Sequence, residues 1–166
     1  MMAGVRHLAA IFSLALLAAV PVVEAAPAAP SVRVKLLDGR TFDSRSALGK
    51  KVVVLRFQSS YCKPCVKESP ALSRLTERYG PRGVEVLALH VQDTAADVRR
   101  FMRAEKPGYG IALDPKLGIG NRYGFTGTPY TVVIDKKGEI VARIVGEGAL
   151  AKLPRILDDA LTPGRR

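Results

Sequence analysis

The chain carries two cysteines, Cys62 and Cys65, with Lys63 and Pro64 between them. On a helix, residues three apart share a face, so this pair can close into an intramolecular disulfide. It follows the β-branched run Val52-Val53-Val54-Leu55 and precedes a stripe of Leu72, Leu75 and Tyr79 at helical spacing. The dithiol therefore opens a helix directly after a buried strand. A cysteine at a helix N-terminus faces the positive end of the macrodipole and unpaired backbone N–H groups, which favour thiolate over thiol. Lys63 adds a nearby cation. The chemistry expected is thiol–disulfide exchange: Cys62 attacks as the exposed nucleophile, and Cys65, more buried, releases the mixed disulfide.

Other uses of two cysteines compete with this one. A structural staple is common in exported proteins, but a bridge closing so small a loop removes little chain entropy. A structural zinc site normally needs four ligands, and beyond the signal-like opening segment only His90 could join the two cysteines. His90 itself ends the apolar run Val86-Leu87-Ala88-Leu89 and reads as a packed strand-end residue. A Cu(I)-gripping dithiolate and a thiol peroxidase remain as alternatives from other classes. Phosphate loops, Ser/His/Asp arrangements and nicotinamide fingerprints are absent from the sequence.

The elements that must hold the pair are legible as alternation. Val32–Leu37 predicts a strand, with Asp38-Gly39 as its turn. Val52–Leu55 predicts a strand covered on both faces. The helix after the dithiol stops at Gly80-Pro81, and Val84–Val91 is the next strand. Thr94 and Asp97 make a capping-box-like start for a helix whose stripe is Val98, Phe101 and Met102. A short helix is expected near Leu117–Tyr123. Strands at Tyr130–Ile134 and Ile140–Val145 flank the turn Lys136-Lys137-Gly138, and a closing amphipathic helix spans Leu150–Leu161, with Pro154 in its first turn or kinking it. Strands and helices in this order argue for an α/β architecture with a mixed sheet.

Residues 1–25 read as an export signal: Arg6 and His7 precede an apolar run from Leu8 to Val20, and Val23-Glu24-Ala25 offers a cleavage site. An uncleaved anchor is the alternative. Either version puts the remainder in the periplasm or another extracytoplasmic space. Residues 26–31 form a Pro-rich linker, 32–161 the folded domain and 162–166 a tail. The net charge of +11 survives removal of residues 1–25, which lose one base and one acid. Basic residues are spread along the chain rather than focused with aromatics on one element, so a nucleic-acid role is not expected. A solvated basic surface is, with weak contact to anionic membrane surfaces as a further possibility. No cofactor and no metal is expected.

From Val32 to Gly148 the chain resembles the thioredoxin fold, and within it the TlpA/ResA-type exported thiol–disulfide oxidoreductases. Leu37-Asp38-Gly39-Arg40 followed by Gly49-Lys50-Lys51-Val52-Val53-Val54 is similar to that family's opening hairpin and first core strand. Cys62-Lys63-Pro64-Cys65-Val66-Lys67-Glu68-Ser69-Pro70 matches its C-x-P-C-x-x-E-x-P signature. The stretch from Tyr123 to Asp135 resembles its cis-Pro loop and following strand, and Gly138-Glu139-Ile140-Val141 its closing hairpin. The resemblance implies a thioredoxin-like α/β fold, a mixed sheet flanked by helices with an N-terminal β-hairpin extension and a central insert. It implies a cis bond at Thr128-Pro129 facing the dithiol, with the Thr128 backbone pairing to the partner chain like an added strand. Tyr61, Lys63 and Pro64 would join Thr128 in contacting substrate. Glu68 would be the acidic residue beside the dithiol, moving a proton to or from Cys65, although a carboxylate in the first helical turn also serves the dipole. Pro70 reads simply as a helix kink. Partners implied are exported proteins with disulfides, in cytochrome c or copper-site maturation, and a membrane thiol reductant.

The departures from that pattern are specific. Tyr61 stands where the family usually has Trp, Phe57-Gln58 where it has Phe-Trp, and Arg56 where thioredoxins proper bury a carboxylate. A charge ending an apolar strand needs a partner or an exit to solvent. Arg56 is expected either to pair with Glu68, weakening it as a proton donor, or to snorkel outward.

Overall fold

The structure, a computed structural model, describes residues 26–162. The export signal expected over 1–25 and the tail residues 163–166 lie outside the described residues. No helix among the described residues is long and apolar enough to cross a membrane.

Two short strands, β1 (Arg33–Lys35) and β2 (Thr41–Asp43), form a separate antiparallel hairpin. The strand that follows, β3 (Val52–Gln58), is buried at all seven positions, which explains its unbroken β-branched and apolar start. After it come α1 (Lys63–Tyr79), β4 (Val84–Val91), α2 (Ala95–Glu105), β5 (Gly110–Asp114), β6 (Tyr130–Ile134), β7 (Ile140–Val145) and α3 (Ala149–Leu161). The five-stranded sheet has the order β5-β4-β3-β6-β7. β3 runs parallel to β4 and antiparallel to β6, so the sheet is mixed. Between β4 and β6 the chain forms α2 and the edge strand β5.

Alternate residues of β3 divide the core. Val53, Leu55 and Phe57 pack with Tyr123, Tyr130 and the β1–β2 hairpin. Val52 and Val54 pack with Leu72, Leu75, Tyr79, Val98, Leu153 and Leu157 from all three helices. The next two residues on the helix-facing side are Arg56 and Gln58, each 1% exposed. That face is therefore apolar at the start of the strand and polar where it reaches the dithiol.

Several expectations need correction. Residues 26–31 are not a free linker: the Ala29 N–H donates to the Gly138 carbonyl at 2.8 Å and the Ile140 N–H to that of Pro27 at 2.9 Å, because the turn of the β6–β7 hairpin leaves backbone groups that the segment satisfies. Of the two readings of Pro154, the first-turn one fails, since Pro154 lies in the second turn of α3. β5 is a strand where the sequence reading placed none; its run is five residues long and pairs in register with β4, too short for periodicity to announce it. The helix near residue 117 is a single 3₁₀ turn at Gly120–Tyr123. Thr94 does form a full capping box with Asp97.

Candidate active site

The β3–α1 connection carries the dithiol. Cys62 is the N-cap of α1: its Sγ accepts from the Cys65 N–H at 3.2 Å. The sulfur thus replaces one of the helix's missing backbone acceptors and sits at the positive end of the dipole. Cys62 and Cys65 are joined in a disulfide with their Cα atoms 5.2 Å apart. Exposure separates the two: Cys65 is 1% exposed, whereas Cys62 is half-buried.

Opposite Cys62, the peptide bond Thr128–Pro129 is cis. Between them runs a groove of about 470 Å³, lined by Tyr61, Cys62, Gln92, Phe125 and the 126–128 loop. Tyr61 stands out from its edge, 70% exposed. Lys63 is exposed and Pro64 half-buried in the first turn of α1, outside the groove lining. Phe57 underpins the far wall, its ring centroid 5.9 Å from Phe125 and 5.8 Å from Tyr130. The groove therefore has aromatic side chains in its walls, one reachable sulfur, and the 126–128 backbone along one side.

Beneath the dithiol lies a layer of buried polar side chains. Arg56 does not snorkel: it reaches across to Glu68, which it meets in a close ion pair, and to Thr131 Oγ1 at 2.8 Å. Burial pushes the Arg56 guanidinium below its ordinary value, and the Glu68 charge and hydrogen bond pull it back up. The second Glu68 oxygen accepts from the Gly148 N–H at 3.2 Å, tying α1 to the start of α3. Glu68 is one turn along from Cys65, its side chain 17% exposed. Ser69 and Tyr109 share a hydrogen bond of 2.9 Å in the same layer. His90 lies between Gln58 and Asp93.

Residues 24–157 match the Redoxin family. Among characterised relatives, the chain is 33% identical over 135 residues to a thiol-disulfide oxidoreductase ResA of Bacillus cereus, covering 81% of this chain and 77% of the relative. It is 34% identical over 119 residues to ResA of Bacillus anthracis, covering 72% and 68%. The chain belongs to the Redoxin family and is a ResA-like thiol–disulfide oxidoreductase.

Its fold agrees with solved structures. A thioredoxin-family thiol:disulfide interchange protein from Chlorobium tepidum TLS superposes with a TM-score of 0.75 at 26% identity, covering 82% of this chain and 97% of that one. In the oxidoreductase, Tyr61, Cys62 and Thr128 line one groove, Pro129 follows Thr128 through the cis bond, and Cys65 lies buried with Glu68 one turn beyond it. What sequence reasoning missed is the set Ser59, Ser60, Gln92, Asp93 and Tyr109. Asp93 and Ser60 carry ordinary loop residue types, and no local spacing joins positions so far apart in the chain.

Proposed function

We propose that the oxidoreductase reduces disulfides of partner proteins outside the cytoplasm. The reading is carried by one observation: Cys62 opens into the groove beside Thr128-Pro129 while Cys65 is sealed beneath it. In the reduced protein the Cys62 thiolate attacks one sulfur of a partner disulfide, forming a mixed disulfide and expelling the partner's other thiolate. Cys65 then loses its proton and attacks Cys62 Sγ, closing the Cys62–Cys65 disulfide and releasing the partner's second thiolate. Two electrons pass to the partner. Glu68 is the group that moves the proton of Cys65. The Thr128 backbone and Pro129 hold an extended partner segment in the groove, with Tyr61 at its rim and Lys63 and Pro64 along the first turn.

The oxidised protein must then be re-reduced, which calls for a membrane thiol reductant if residues 1–25 export or anchor the chain. Resemblance to TlpA/ResA-type proteins extends the partner class to proteins maturing cytochrome c or copper sites. The test is Cys65→Ser. It is expected to accumulate a mixed disulfide through Cys62, visible as a thiol-sensitive adduct on non-reducing gels, whereas Cys62→Ser forms none. Equilibration of the full chain with glutathione sets the direction. A potential on the order of −270 mV supports a reductase, and one nearer −120 mV makes the protein an oxidant.

A further inference from the structure

Asp93 lies between β4 and α2 and is 2% exposed. It accepts hydrogen bonds from Ser59 Oγ at 3.0 Å, the Ser60 N–H at 2.7 Å, Ser60 Oγ at 2.9 Å and His90 Nδ1 at 2.7 Å. His90 is fully buried, with its other ring nitrogen 2.9 Å from Gln58 Nε2. A carboxylate only accepts, so His90 donates from Nδ1 and its Nε2 accepts from the Gln58 amide. This is the neutral imidazole, and burial pushes His90 below its ordinary value against the opposing pull of Asp93. The chain Gln58→His90→Asp93←Ser59/Ser60 thus joins the ends of β3 and β4 to the turn that delivers Cys62, two residues after Ser60. Within the same connection Gln92 takes a left-handed φ of 58° and lines the groove beside Cys62.

We propose that Asp93 is a positioning residue of the dithiol: it clamps the Ser59–Ser60 turn so that Cys62 stands open in the groove, and its buried charge opposes ionisation of that cysteine. The proposal rests on the exchange chemistry above. Its electrostatic half follows from what balances each charge near Cys62. On α1, Lys63 and the helix N-terminus favour the thiolate, and Glu68 is paired with Arg56 of β3. On α2, Asp97 faces Tyr61 and is paired with Arg100 at 3.4 Å. Asp93 differs from these acids, since every hydrogen-bond partner it has here is neutral. Its field reaches the Cys62 turn uncompensated by a bonded cation, and in a dry setting such a field is felt over several ångströms.

The experiment uses the full chain, reduced, and follows alkylation of Cys62 by iodoacetamide against pH, beside equilibration with glutathione. Asp93→Asn removes the charge at constant size. Its alkylation midpoint is expected to fall by about half a pH unit or more, because the thiolate no longer forms against a buried anion. The equilibrium shifts towards the dithiol in step. Ser60→Ala keeps the charge but drops one clamp bond; exchange with a partner disulfide slows about five-fold, the equivalent of one hydrogen bond, while the midpoint stays put. An unchanged midpoint in folded Asp93→Asn overturns the proposal, as does a midpoint that moves equally in Ser60→Ala. If Asp93→Asn does not fold, Asp93→Ser carries the same reading. Absence of exchange in the unaltered protein would instead defeat the dithiol reading itself, which separates the two failures.

Discussion

Glu68 and Arg56 form one buried ion pair between the core and the carboxyl proposed to serve the dithiol. Arg56 is 1% exposed and its charge is held in the core by Glu68, with Thr131 taking one further N–H. Its Nε has no hydrogen-bond partner among the described residues, so the guanidinium depends heavily on that one carboxylate. Glu68→Gln removes the carboxyl proposed to move the Cys65 proton and leaves the guanidinium uncompensated. Resolution of the mixed disulfide is expected to slow at least about 100-fold, the low end of a positioned general acid–base. Unfolding free energy should fall by about 3 kcal/mol, as when one member of a buried pair is deleted. Stopped-flow partner reduction and urea titration measure the two separately. If neither changes, Glu68 is only a first-turn charge. The complementary variant, Arg56→Met, takes away the cation facing the carboxylate while keeping the stem's packing. Losing that ion pair should slow resolution of the mixed disulfide, because the carboxyl is no longer held in one place behind Cys65. An unchanged rate would mean that Arg56 is a packing residue and nothing more.

At the scale of elements, α1 presents the dithiol because its far half is anchored. Leu72 is 2% exposed and Leu75 7%, both packed on the helix-facing side of β3 and β4. Leu72→Ala is expected to cost about 2–5 kcal/mol, read from the urea midpoint, with the spread set by how far the site collapses. Thr94→Ala, which opens the capping box of α2, should cost about 1 kcal/mol and leave thiol exchange untouched. The elements that were legible in the sequence are those with a strong local signal. Examples are the unbroken apolar run of β3, the Leu72–Leu75–Tyr79 stripe of α1 and the Thr94–Asp97 cap. The dithiol was legible for the same reason, since its residue types and spacing are themselves the chemistry. β5 escaped because five residues of edge strand carry no periodicity. The Asp93 network escaped because its members come from β3, β4 and two connections, and only the parallel register that sets Gln58 opposite His90 brings them together. Arg56 was legible as a problem, a charge inside an apolar strand. Of its two expected solutions, the fold chose the partner because Glu68 projects from α1 directly above that end of the strand.

At the scale of the whole molecule, the side of the sheet opposite the helices is closed by the first described residues, which the chain straps down through Tyr123. Its hydroxyl donates to the Pro30 carbonyl in a short hydrogen bond, and Arg122 Nη1 reaches the Ser31 carbonyl at 2.9 Å. Tyr123 is fully buried, and burial pushes its phenol up to about 12. In the unfolded chain the same phenol titrates near 10. Below pH 10 both states keep the proton and the contribution of Tyr123 is complete. As pH rises from 10 towards 12 the unfolded chain releases its proton first, so folding stability falls through that window by about 1.4 kcal/mol per unit at most. Tyr109 and Tyr130 are raised by burial too, so the alkaline slope of the unaltered protein has several sources. The difference between that protein and Tyr123→Phe isolates one of them. The variant loses the bond to Pro30 and should be less stable at pH 8 by about 1 kcal/mol. Its stability should then fall less steeply above pH 10, so that the gap closes between about pH 10 and 11 and reverses above that. Urea midpoints taken at intervals between pH 8 and 11.5 would show it. Parallel curves over that range would mean that the phenol is not the proton that matters, and that the strap is held by the backbone pairing of residues 27–29 alone.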